Sequence, residues 1–532
     1  MKFISKSLLV KVGVLFLLWL FSTGVEGYRY YPMLDDWCWL GEPNYSDNRW
    51  LFYLNNNFYT FRPLSGLINV EIISRFWHNL NILELLITVL VFITALLFQR
   101  VAKKVFELPM WGFLIAFLWW PTAIEGQYWL GASIWVVPEM FFLAIGLNCI
   151  IDYIEETSLS RKIILFITSF ITILISNFYY EQHWIVGLAI ILGLALRSKD
   201  RFKQLSVMFV GIIPFIITIG WYIYFISKAP RGMTNTFSSL LLTVKEVGKQ
   251  VLMMWGHVQI NEFIQPLVLS QNIKLVLISF VISLCAIYLL RFEYLQINNT
   301  KNIRKALFLF IAGLIWIILS YIPWFLTNYN WVSLRSVFVA SPGIGLVIES
   351  ILYAIIIKYG KLCSVRVSSL TLVFFAIILS YLTIIHQEEV KEYTTSARFD
   401  IEIGNIITDS LYEWNNIDNK IVIYSDRWSY MPWVNMYHEH ILTTWSSDWS
   451  STSALKCLSE GKLKNKIIYV RPDTDLKTYN TKDTFPRMGF VIINNENRSL
   501  QYKLLNLNPA VVIRYNNVWP KPEIKDVEII FE

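Results

Sequence analysis

The feature that most constrains this chain is a series of eleven apolar runs, each close to the length that crosses a bilayer. They cover residues 7–22, 80–98, 107–124, 128–150, 163–180, 184–196, 205–227, 273–291, 306–326, 337–357 and 368–386. A membrane helix needs about 20 apolar residues, so 184–196 is short for a span. Composition agrees with the pattern: hydrophobic residues are 55%, charged residues 16%, and mean hydropathy is +0.47. An ordinary soluble domain carries about 25% charged residues. A disordered chain, a disulfide-framework fold and a nucleic-acid-binding domain are excluded together. The expected fold is a polytopic α-helical membrane protein with about eleven transmembrane helices.

Charge gives the expected orientation. Basic clusters stand at Arg100/Lys103/Lys104, Arg161/Lys162, Arg197/Lys199/Arg201/Lys203, Arg291/Lys301/Arg304/Lys305 and Lys358/Lys361/Arg366. Connections 125–128 and 179–183 carry no Lys or Arg, and 327–336 carries only Arg335. The positive-inside bias puts the basic clusters and the N-terminus in the cytoplasm, with 105–160 and 163–196 as out-and-back hairpins. Lys11 within the first run, and the lack of an A-x-A site, favour a retained anchor over a cleaved signal peptide.

Three pieces are then expected outside: loop 24–79, connection 228–272, and the chain after about 387. The tail changes composition, with a helix-like 396–415 and short β-like runs at 421–424, 467–470, 490–493, 511–515 and 527–531. Residues 1–390 read as a membrane domain carrying external loop 24–79, and 391–532 as an extracytoplasmic C-terminal α/β or α+β domain. Of five cysteines, only Cys38 and Cys457 share an oxidising side on this topology, so a bridge between them is open. There is no CxxC and no Cys/His zinc spacing.

Span centres look almost free of ionisable residues apart from Lys11, which is unlike an ion pathway. Acidic residues gather at the outer ends instead: Asp35-Asp36, Glu125 and Glu181. The 24–79 loop is dense in Tyr, Trp and Phe, which suit the headgroup level. An adjacent Asp pair in such a setting raises both pKa values and offers a general base; helix capping or loop solvation is the plainer role. Arg62, fixed by Pro63, suits an ion pair or a phosphate ligand.

The first span, the aromatic loop with Asp35-Asp36, and Arg62-Pro63-Leu64 together resemble the GT-C superfamily of membrane glycosyltransferases. The chain looks most like bacterial O-antigen glucosyltransferases of the Gtr type, and Phe178–Trp184 (FYYEQHW) is similar to their later acidic turn. The resemblance covers topology over about 1–390 and a dozen motif residues. It implies a multi-pass protein of the bacterial cytoplasmic membrane that moves a sugar from a polyprenyl-phosphate donor to a glycan hydroxyl outside, in lipopolysaccharide and cell-envelope modification. A partner flippase and a cytoplasmic-side donor synthase are implied with it. Asp36 or Asp35 maps onto the catalytic base. No WWDYG signature occurs and loop 24–79 has no D-x-D, and monophosphate donors in this superfamily generally do without a metal, so no cofactor is expected, a divalent metal being open but not favoured.

The leaving phosphate gains charge, so outer cations lower the barrier; the candidates are Arg62, Arg231 and Arg335. Glu125, Tyr128, Trp129, Glu181, Gln182 and His183 are the sugar and acceptor candidates, with a polar turn or interfacial anchoring as their plainer roles. His257 and the His438/His440 pair read as solvated loop residues. Residues 236–260 look amphipathic and fit an interfacial roof over a donor groove. Two rivals remain: an O-antigen polymerase or ligase, and a non-enzymatic transporter or flippase of lipid-linked sugars.

Overall fold

The computed structural model of the chain describes residues 6–24, 27–56, 59, 62–225, 237–258, 273–295, 303–325, 332–359, 365–412, 420–425, 442–462, 467–471, 488–494, 499–506 and 523–529. The chain divides into two compact units. Unit 1 comprises Met1–Tyr28, Asn56–Gly66 and Glu84–Val390; unit 2 comprises Arg29–Asn55, Leu67–Leu83 and Lys391–Glu532.

The helices, in order, are α1 (Lys6–Thr23), α2 (Arg49–Asn55), α3 (Pro63–Glu71), α4 (Leu80–Phe106) and α5 (Trp111–Trp119). Then come α6 (Leu130–Glu155), α7 (Leu159–Tyr179), α8 (Trp184–Arg197), α9 (Arg201–Tyr224) and α10 (Phe237–Met253). The last are α11 (Ile273–Leu295), α12 (Ile303–Phe325), α13 (Arg335–Tyr359), α14 (Val365–Tyr412) and α15 (Asp448–Leu458). Among the described residues nine helical stretches are long and apolar enough to cross a membrane. The chain is a multi-pass helical protein.

The expected eleven spans need correcting in two places. Run 107–124 forms only α5, nine residues long. Pro109 and Pro121 disfavour helix at the residues before them, and Met110 and Thr122 turn left-handed with φ of 61° and 67°. Run 184–196 forms α8, fourteen residues long. At the other extreme, α14 continues for 48 residues through the expected end of its span. Its 387–396 stretch, QEEVKEYTTS, holds neither Gly nor Pro to stop it.

Unit 1 is a helix bundle whose centre is α6, with 78% of its apolar window buried. α7, α9 and α11 bury only 22%, 28% and 22% of theirs. On α7 the exposed Ile163, Ile164, Ile167 and Ile171 recur at helical spacing, which makes one apolar stripe. Such a stripe costs nothing against lipid. α12 and α13 approach most closely at two glycines: a Cβ on Gly313 would stand 2.6 Å from the Gly343 carbonyl oxygen. Small residues let helices touch at backbone distance, where dispersion replaces the missing hydrophobic drive.

One end of unit 1 collects charge. Arg100 donates to Asp152 at 2.8 and 2.9 Å and to Asn148 at 2.6 Å, and Lys104 pairs with Asp152 and Glu155. Arg161 lies 3.9 Å from Glu156, Arg197 donates to the Lys104 carbonyl at 3.0 Å, and Lys305 lies 4.0 Å from Glu107. Basic clusters far apart in sequence thus meet at one end.

In unit 2, strands β1 (Lys420–Ser425), β2 (Ile467–Arg471), β3 (Met488–Asn494), β4 (Ser499–Asn506) and β5 (Glu523–Ile529) pair in the order β2-β1-β3-β4-β5. β1 and β2 are parallel and the other pairs antiparallel. Parallel neighbours need a crossover connection, and α15 lies in it. The run Leu500-Gln501-Tyr502-Lys503-Leu504 alternates with the period of a strand.

Closing the glycine contact has a measurable effect. Gly313→Val is expected to cost about 1–3 kcal/mol by overpacking and to lower the melting temperature of the detergent-solubilised protein. Gly220→Ala on α9, where an added Cβ meets nothing within 4 Å, should leave it in place. Equal behaviour of the two variants would remove the close contact from the account.

Candidate functional site

The acidic pair lies in unit 2, on a tight turn. Leu34 adopts φ +47°, a left-handed conformation uncommon for a branched side chain. It folds the chain so that the Asp36 backbone N–H donates to the Met33 carbonyl at 3.0 Å, while the Met33 N–H donates to Asp36 Oδ2 at 2.9 Å. The same oxygen accepts from Tyr30 Oη at 2.7 Å and from Tyr393 Oη at 3.0 Å. Asp36 is 0% exposed, and among the described residues its Oδ1 has no hydrogen-bond partner. Asp35 is half-buried.

Burial pushes Asp36 up to about 7, against the opposing pull of the Met33, Tyr30 and Tyr393 hydrogen bonds. Among the described residues no cation supplies an attraction here. A carboxyl poised near neutrality, with an unengaged oxygen, is the chemical profile of a general base. Tyr30 is pushed well above the ordinary phenol range, first by burial and then by the Asp36 charge, and stays a donor.

Tyr393, on α14, is a partner the sequence did not announce. Seven residues on, Asp400 anchors the same helix: its carboxylate accepts from Thr443 Oγ1 at 2.8 Å and from the Thr444 N–H at 3.2 Å. Thr444 Oγ1 in turn accepts from the Leu34 N–H at 2.9 Å and from Trp37 Nε1 at 3.0 Å. Residues seven apart share a helix face, so Asp400 and Tyr393 grip the Asp36 turn from one side. Cys38 and Cys457 are both free thiols: Cys38 donates to Ser453 Oγ at 3.1 Å, and Cys457 to the Trp37 carbonyl at 3.8 Å.

The remaining described candidates lie in unit 1, and contacts link them. Arg62 precedes Pro63, the first residue of α3, where a missing N–H is harmless; its carbonyl accepts from the Gly66 N–H at 2.9 Å. Its guanidinium forms a bidentate pair with Glu181, Nε to Oε2 at 2.7 Å and Nη2 to Oε1, and stacks on Tyr180 at 4.2 Å. Of the two jobs the sequence left open for Arg62, the structure shows the ion pair. Gln182 donates to Ser336 Oγ at 2.5 Å. Arg335 begins α13; its N–H donates to Glu125 Oε1 at 2.9 Å, and its guanidinium lies 5.8 Å from the Trp129 ring. Glu125, Tyr128, Trp129, Gln182 and His183 are all buried.

His183 is held from two helices. Its N–H donates to Glu139 Oε1 at 2.8 Å, its Nδ1 also meets that oxygen, and its Nε2 lies 2.9 Å from Ser176 Oγ. Burial lowers its pKa to about 3, so the ring is neutral and carries one N–H. Gln182 and His183 therefore fasten the α7–α8 turn to its neighbours. Only Glu181 of the three lines a recess.

The expectation that span centres are nearly free of carboxylates fails. Glu139 in α6 and Glu349 in α13 are 0% exposed, as is Glu84 near the start of α4. Each has a partner: Glu139 holds His183, Glu349 accepts from the Phe113 N–H at 3.1 Å, and Glu84 accepts from Thr88 Oγ1 at 2.9 Å. Arg231, His438 and His440 lie outside the described residues, as does the side chain of His257. Among the described residues no three His, Cys, Asp or Glu form a group that could hold a metal. No family model matches the chain, and no curated protein or solved structure matches it significantly.

The Asp36 environment predicts a pH signature independent of any activity. Its folded pKa of about 7 lies above the unfolded value near 3.8, so the folded state holds the extra proton between them. Stability is greatest at the acid side and falls as pH rises toward 7. Relative to Asp36→Asn, the wild-type melting temperature should decline as pH rises from about 4 and level off above about 7. Tyr393→Phe removes a bond that favours the carboxylate and should move the pH at which the decline levels off higher. Parallel melting curves for wild type and Asp36→Asn would contradict it.

Proposed function

We propose that the protein is a membrane glycosyltransferase that moves a sugar from a polyprenyl-phosphate donor to a hydroxyl of a cell-surface glycan such as O-antigen. The observation that carries the reading is Asp36, a buried carboxyl raised to about 7 by desolvation with one oxygen unengaged. Its neutral-tyrosine surroundings leave it able to take and release a proton, which a salt-bridged carboxylate does poorly. Asp36 is favoured over half-buried Asp35.

In the proposed step the acceptor hydroxyl loses its proton to Asp36 Oδ1 as its oxygen bonds to the anomeric carbon. The bond from that carbon to the phosphate oxygen breaks, and polyprenyl phosphate leaves with the electron pair. One displacement inverts the anomeric centre. Arg335 and Arg231 are the proposed cations for the departing phosphate. Arg62 is bound to Glu181 and falls out of that role.

The finer topology belongs to the same proposal: a bacterial cytoplasmic membrane, with the charged end of unit 1 inward. The acidic turns and a C-terminal α/β or α+β domain over 391–532 then lie outward, where that domain meets the acceptor. Phe237–Met253 roofs the donor groove. A flippase and a donor synthase on the inner side supply the substrate.

Transport of lipid-linked sugars is the second reading, favoured by the buried carboxylates Glu139 and Glu349 in the spans. Their partners give both a structural task, which ranks this reading below the first.

Purified full-length protein supplied with radiolabelled polyprenyl-phosphate glucose and an O-antigen acceptor should transfer label. Asp36→Asn should lose roughly 10²–10⁴-fold in rate while keeping the wild-type elution profile, and Asp35→Asn should retain most activity. Undiminished transfer by a folded Asp36→Asn would remove the proposed base.

A further inference from the structure

Residues 443–445 meet the Asp36 turn within unit 2, and they are themselves fastened to two helices. Asp400 of α14 accepts from Thr443 Oγ1 at 2.8 Å and from the Thr444 N–H at 3.2 Å, and its carbonyl accepts from Trp445 Nε1 at 3.1 Å. The Thr444 carbonyl accepts from Ser451 Oγ of α15 at 3.0 Å. A Cβ on Gly404, one turn along α14 from Asp400, would stand 2.6 Å from the Trp445 ring, so the indole lies against the helix backbone. Thr443, Thr444 and Trp445 are all 0% exposed.

The turn that this segment meets is strained. Leu34 at φ +47° occupies a conformation that persists only where its surroundings hold it. Thr444 Oγ1 supplies that hold. It accepts from the Leu34 N–H at 2.9 Å and from Trp37 Nε1 at 3.0 Å, which uses both lone pairs of a hydroxyl. Leu34 and Trp37 are 7% and 2% exposed, so removing the oxygen would take this acceptor from two donors that lie away from water, which is costly.

The effect reaches the carboxyl. The left-handed turn aims the Met33 N–H at Asp36 Oδ2, 2.9 Å away, where Tyr30 and Tyr393 also donate. Three donors on Oδ2 leave Oδ1, which has no hydrogen-bond partner among the described residues. We propose that Thr444 is a positioning residue for Asp36: its hydroxyl holds the Leu34 turn, and that turn selects Oδ1 as the atom that takes the proton. The assignment rests on the transferase reading for the group that is deprotonated, and on the geometry of unit 2 alone for the rest. It gives the C-terminal segment a task in the proton transfer itself. Among the described residues the titratable groups facing Asp36 are Asp35 and Tyr30 of its own loop and Tyr393 of α14. Residues 443–445 bring no ionisable side chain. Loss of the turn therefore acts through hydrogen bonding: without the Met33 N–H, which favours the carboxylate, Asp36 keeps its proton to higher pH.

The test compares Thr444→Val, which keeps the shape and loses the hydroxyl, with Thr444→Ser, which keeps the hydroxyl, in purified full-length protein. With polyprenyl-phosphate glucose and an O-antigen acceptor, Thr444→Val should lose roughly 10–10²-fold in kcat, the scale of a misplaced reacting group, with KM unchanged for both substrates. The acidic limb of its kcat–pH profile should move to higher pH, so that raising the pH recovers part of the rate. Thr444→Ser should restore most of kcat and the wild-type limb. A second readout needs no activity. The melting-temperature difference between Thr444→Val and Thr444→Val/Asp36→Asn should go on declining beyond the pH at which the difference between wild type and Asp36→Asn levels off. A third needs no variant: in the wild type, amide hydrogens of 33–37 should exchange as slowly as those of 443–451.

A folded Thr444→Val with the wild-type pH dependence, equal losses in Thr444→Val and Thr444→Ser, or fast exchange of 33–37 beside a protected 443–451 would each overturn the assignment. A wild type that transfers no sugar, with the melting difference displaced in Thr444→Val as expected, would sink the transferase reading and leave Thr444 as the residue that positions Asp36. Sugar transfer by the wild type, with an unmoved pH limb in Thr444→Val, would do the reverse.

Discussion

Lipid offers no hydrogen bonds, so every break in a membrane helix must be satisfied from within the protein. Unit 1 answers that demand with buried carboxylates. Glu349 accepts from the Phe113 N–H in the first turn of α5, Glu389 from the Thr122 N–H just past its end, and Glu125 from the Arg335 N–H that opens α13. An acceptor at a helix N-terminus also meets the positive end of the helix dipole. These three contacts make the short α5 and the turn after it tolerable inside an apolar bundle.

The same constraint explains why the polar candidates of unit 1 cluster. Breaks occur where Pro109, Pro121 and the Tyr180–His183 turn interrupt the helices, and there the backbone takes polar partners. Gln182 reaches Ser336, beside Arg335, whose N–H reaches Glu125. Arg62 reaches Glu181 from 119 residues earlier in the chain. Polar residues at one helix end recruit those at the next, and a recess forms where the aromatic flanks do not close over them.

Much of this architecture is legible in the sequence because apolar length and basic clusters act locally. The apolar runs became helices, and the basic clusters of α4, α7, α8, α9 and α12 meet acidic residues or carbonyls at one end. Pro109 and Pro121 stand in the run 107–124, but its apolar length read as one more span and masked the break. Glu139 and Glu349 stand in plain view within their runs, and the overall apolarity of those runs masked them. Asp36 was visible as half of an adjacent pair. Its partner Tyr393 lies 357 residues away, and no periodicity or local motif connects positions that far apart. Nor does Asp400 differ in sequence from an ordinary exposed helical acid.

The carboxylates of this chain show that the partner, more than the burial, determines the task. Glu181 faces a guanidinium, so its charge is locked and cancelled. Glu125, Glu349 and Glu389 face backbone N–H groups and serve as fixed acceptors. Asp36 is as deeply buried as any of them, but two of its three donors are phenols, which stabilise its charge without countering it. Burial raises its pKa and the phenols hold it back, so the balance falls near neutrality. Replacing either phenol by a cation would give a permanently ionised Asp36, anchored like Glu181 and unable to exchange a proton at physiological pH. Asp36 thus differs from these glutamates in taking its side-chain hydrogen bonds from phenols, and the proposed general-base role rests on that difference.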